Sequence, residues 1–122
     1  MGLKEMLKGT IEGAGEVTEA LMGAVTGIVK EGTEDTGDIF GAVIDLGKEG
    51  VVDVTEGVKA VYIGAVNALK ESGKSTEDAV AEVSVNAEKA IGNIGEECMD
   101  TVGGAAKKGI EEAKEILKKP LE

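Results

Sequence analysis

Four features of this chain carry residue types that could do chemistry. Residues 68–75 read ALKESGKS, a relaxed form of the phosphate-binding loop with Ala68 in place of its first glycine. In that loop, backbone N–H groups and the lysine hold phosphates while the following hydroxyl holds Mg²⁺. The loop must follow a buried strand, yet the residues before Ala68 keep helical phase. The spacing therefore predicts a helix-to-helix turn, with Gly73 just past one helix and Ser75 capping the next. Asp35-Thr36-Gly37 matches the aspartic-protease triplet, which needs a strand-flanked loop and a second copy. Nothing strand-like surrounds it, and a helix N-terminus is expected there. Asp35, Asp38, Asp53 and the Glu96-Glu97-Asp100 group offer oxygens to a hard cation, but at no calcium-loop spacing, so they are expected to form a solvated acidic face. Cys98 is the single cysteine. It has no disulfide partner within the chain, and the neighbouring carboxylates disfavour a thiolate, so it is expected to be a small buried apolar residue.

Composition narrows the chemistry further. The thirteen basic residues are all lysines, set against twenty-four acidic ones, for a net charge of −11. That field repels phosphate backbones, which argues against a nucleic-acid partner. Without Arg or His the chain lacks the bidentate phosphate clamp, the commonest acid–base catalyst and the commonest metal ligand. No enzymatic activity, cofactor or metal is expected. The segment MGLKEMLKG is charged and has no apolar h-region, and Met6 stands where a myristoylation signal wants Ser or Thr. The longest uncharged runs, residues 20–29 and 60–69, are about half the length of a transmembrane helix. A cytoplasmic protein is expected.

The elements that must position these residues read as helices. Leu3, Leu7, Ile11, Leu21, Val25 and Ile28 share one arc, with Lys8, Glu12, Glu16 and Glu19 opposite. This predicts a first helix over about 3–31, with Gly32 at C′ and Thr33 as the next N-cap. Phe40, Val43, Val51, Val54, Val58, Val61, Ala65 and Leu69 keep one phase through Gly47 and Gly50, predicting a second helix over about 34–72. Ser75 opens a third, over about 76–118, ended by Pro120. Its apolar face is weaker, and Glu112 falls among the apolar positions. The fold class is all-α: three long antiparallel amphipathic helices in one domain spanning 1–122.

Glycine decides how such helices could pack. The chain has nineteen glycines, mostly in these segments, and each in a helix interior costs roughly 1 kcal/mol relative to alanine. Something must offset that. Gly9, Gly13 and Gly27 line a shoulder of the first arc, and Gly50, Gly57 and Gly64 recur every seven residues on a shoulder of the second. These six are the expected sites of close helix packing, in a Gly/Ala-rich bundle. Val52 and Ile63 point outward on this reading, and self-association into a homo-oligomer is expected to cover them.

Lys48-Glu49-Gly50-Val51-Val52, Thr55-Glu56-Gly57-Val58, Gly23-Ala24-Val25-Thr26-Gly27 and Thr101-Val102-Gly103-Gly104-Ala105 resemble the idiom of synucleins and group-3 late-embryogenesis-abundant proteins. The long small-residue amphipathic helices are similar to those of phasins, which coat polyester storage granules. The resemblance implies a chain that orders on an apolar surface and catalyses nothing. Two readings follow. One is a non-enzymatic helical structural or interaction protein that self-associates through small-residue helix faces. The other is a surface-coating or stress-protective protein that orders on a granule or neutral lipid surface.

Overall fold

Glycines and capping side chains divide the chain where its apolar periodicity does not. The computed structural model describes residues 2–13, 15–32, 35–93 and 99–118. Among them lie six α-helices: α1 (Leu3–Glu12), α2 (Val17–Glu31), α3 (Thr36–Lys48), α4 (Val54–Glu71), α5 (Thr76–Gly92) and α6 (Gly104–Lys118). A short π-helical turn, Met99–Gly103, leads into α6. The described chain is all-helical, but the expectation of three long helices is corrected, because each expected helix is two.

The reasons are local. Gly13 closes α1, and Gly15 follows two residues on, so the poorest helix formers after proline cluster at the break. Glu16 is extended before α2. The break between α3 and α4 is a Schellman stop: Gly50 takes φ +83°, Val51 N–H donates to the Leu46 carbonyl at 2.9 Å, and Gly50 N–H donates to Gly47 at 3.1 Å. Asp53 then accepts from Glu56 N–H at 3.1 Å and opens α4. Apolar phase survives this break because Val51 and Val52 still pack against the core. Asn93 caps α5.

Gly32 ends α2 in the left-handed region, φ +70°, as the sequence suggests. The cap of α3 is Asp35, accepting from Gly37 N–H at 3.1 Å. Thr33, the expected cap, lies outside the described residues, as do Cys98, Glu96, Glu97 and Pro120.

α4 is the hub. Helices α2, α3, α5 and α6 all pack on it, and from Gly57 to Val66 only Lys59 escapes full burial. Ile63 is buried and Val52 half-buried, which corrects their expected outward placement. Volume comes mainly from Val, Ile, Leu and Ala. The two aromatics, Phe40 and Tyr62, meet edge-on with ring centres 6.4 Å apart. Among the described residues no helix is long and apolar enough to cross a membrane.

Candidate functional site

The ALKESGKS segment is the junction of α4 and α5. Gly73 has φ +106°, Lys74 N–H donates to the Leu69 carbonyl at 3.0 Å, and Ser75 accepts from Asp78 N–H at 3.2 Å. The Lys74 ammonium is 2.7 Å from Glu82, whose hydrogen bond and charge hold its pKa above the ordinary lysine value. A stop, a cap and a surface ion pair thus occupy every residue that a phosphate loop would use. Asp35-Thr36-Gly37 likewise opens α3. Among the described residues no three Cys, Asp or Glu side chains are grouped to hold a metal.

The six glycines nominated for helix packing separate by environment. A Cβ on Gly64 would lie 2.8 Å from the Met22 carbonyl oxygen and 3.2 Å from Val25 Cβ, so α2 and α4 touch backbone to backbone there. A Cβ on Gly57 would lie 2.6 Å from Val43 Cγ1 of α3. Among the described residues of one copy, a Cβ on Gly9 or Gly27 would meet nothing within 4 Å and one on Gly13 only its own helix, while Gly50 serves the turn, so within the chain only Gly57 and Gly64 of the six meet a neighbouring helix. Helical phase alone could not separate a shoulder that meets a neighbour from one that meets water.

Sequence reasoning passed over one further place where a glycine lets two helix backbones meet. A Cβ on Gly109 of α6 would lie 2.5 Å from the Thr55 carbonyl oxygen of α4. A threonine stands at each backbone contact: the Thr26 hydroxyl is shared between the Met22 carbonyl at 2.8 Å and the Gly64 carbonyl at 3.1 Å, and Thr55 Oγ1 donates to the Ala105 carbonyl at 3.0 Å. The spacing Ala105-x-x-x-Gly109 was the available signal. Glu112, apparently misplaced on the apolar face of α6, reaches Lys59 at 3.3 Å. Burial disfavours the Lys59 charge, but the hydrogen bonds its ammonium donates to Glu56 and Glu112 outweigh it and raise the lysine pKa.

An open concavity lies between α5 and α6. Both helices pack on α4 but splay from each other, leaving adjoining cavities of about 390 and 630 Å³. Val80, Ala81, Ile91, Ile110 and Leu117 supply apolar lining. Ser84 on the α5 wall shares a 2.6 Å hydrogen bond with the Tyr62 hydroxyl, which also donates to the Val80 carbonyl at 3.2 Å. Burial raises the Tyr62 pKa above the ordinary phenol value. Lys114 lines both cavities, so they form one groove.

No protein-family model matches the chain, and no curated protein or solved structure matches it. The groove and the glycine contacts therefore stand on their own geometry.

Proposed function

We propose that this chain is a non-enzymatic helical interaction protein, folded without a partner surface, that self-associates in the cytoplasm. The observation that carries this reading is the uneven closure of apolar surface. Around α4 four helices shut it from water, whereas between α5 and α6 it is left open and rimmed by charge. A chain that orders only on a granule or lipid surface would need its apolar helix faces free, and here Gly57 and Gly64 are spent inside the fold. Gly57 and Gly64 thus build the monomer, and the groove is left for association.

The test is circular dichroism with sedimentation in plain buffer. A strongly helical spectrum, a cooperative melt and a mass that grows with concentration are expected. A disordered spectrum that turns helical only with neutral lipid would replace this reading with the surface-coating one. A folded monomer at every concentration would remove self-association.

A further inference from the structure

α5 and α6 run antiparallel across their groove. Glu88 near the end of α5 stands level with Lys107 near the start of α6, and Glu77 near the start of α5 stands level with Lys118 at the end of α6, with Lys114 between. The walls differ in sign. To the lining α5 brings Glu77 and Glu88 and no lysine, while α6 brings Lys107, Lys114 and Lys118 with one carboxylate, Glu111. The whole helices repeat the contrast: α5 carries four carboxylates and one lysine, and α6 four lysines and three carboxylates. Among the described residues none of these lining groups is in an ion pair, whereas Lys4, Lys30, Lys59 and Lys74 each are.

We propose that the α5–α6 groove joins two copies of this chain about a twofold axis running along the groove. The proposal rests on the self-association reading and names its surface. Facing two such grooves leaves two choices of axis. An axis across the groove lays α5 on the partner's α5 and α6 on the partner's α6, setting carboxylates against carboxylates and lysines against lysines. An axis along the groove lays each α5 on the partner's α6 at the same level, so Glu88 meets Lys107 and Lys114 while Glu77 meets Lys114 and Lys118. Charge selects the second. That arrangement also covers Val80, Ala81 and Leu117 and brings the partner up to the lip where Val85, one turn beyond Ala81, is 52% exposed. A simple anionic ligand would suit the α6 wall but leave Glu77 and Glu88 facing it. Only a partner bearing both signs satisfies both walls.

The test is a charge swap followed by sedimentation. One variant carries Lys107→Glu, Lys114→Glu and Lys118→Glu, the other Glu77→Lys and Glu88→Lys, each checked by circular dichroism for an unchanged fold. Alone, each has walls of like sign, and dimerisation is expected to weaken about 100-fold. Mixed, they form a heterodimer complementary at both contacts, and the dimer returns. If wild type self-associates but both variants do so equally, or the mixture stays monomeric, this interface is wrong and the broader reading stands. A wild type that remains monomeric overturns the broader reading as well.

Discussion

Gly64 and Met22 meet so closely that a methyl group on the glycine would stand 2.8 Å from the methionine's carbonyl oxygen. The obstacle is backbone, which cannot rotate aside. Gly64→Ala is expected to destabilise by about 1–3 kcal/mol through overpacking, although alanine is the better helix former. Gly27→Ala places the same methyl in open space on α2 and is expected to stabilise by about 0.5–1 kcal/mol. Thermal or urea melts of the pair read the sign directly. Two shifts in the same direction would contradict the contact.

Gly50→Ala separates a turn from a helix. At φ +83° an L side chain costs about 1–2 kcal/mol, so the variant should be less stable than wild type. If residues 34–72 formed one continuous helix, the same change would raise stability and helicity.

Alkaline titration examines the hub from within. The tyrosinate absorbance of Tyr62, the single tyrosine, is expected to rise above the ordinary phenol pKa of about 10, because burial favours the neutral form. The Lys59 pKa is also raised, there by Glu56 and Glu112 acting against burial. A raised folded-state pKa gives stability that is complete below the unfolded value and lost as pH climbs through the folded one. Melting temperature should therefore hold from neutral pH to about pH 10 and fall above it, with Tyr62→Phe flattening part of the decline. Titration of Tyr62 as a free phenol, with the fold intact, would contradict its placement.

Lys74→Ala removes an exposed pair with Glu82, an interaction weakened by solvent screening. Stability is expected to change little, and calorimetry with Mg²⁺ and ATP should give no binding heat in either protein. A wild-type affinity abolished by the substitution would restore the phosphate-loop reading.

The helical character, the stops at Gly32 and Gly73 and the cap at Ser75 were legible because each depends on a few adjacent residues. The division of the expected helices was not, because Val51 and Val54 keep apolar phase through a turn that only the φ of Gly50 reveals. Gly57 and Gly64 could be nominated by spacing, but so could Gly9 and Gly27, and the difference between contact and solvent belongs to tertiary structure. Glu112 looked misplaced until Lys59, fifty-three residues away, supplied its partner. The groove was the least legible feature, since it depends on the angle at which α5 and α6 leave α4.

That α4 is the hub also sets an order of events during synthesis. A chain made from its N-terminus has α1, α2 and α3 in hand before the helix that most of them pack on exists. The surface of α2 around Met22 and Val25 must wait, uncovered, until Gly64 has been added, and the α4 surface around Thr55 waits in turn for Gly109. Nascent chains generally begin folding from the N-terminus at about 5–20 residues per second. In this protein the first half cannot complete its packing early, because the helix that closes it over is made only later.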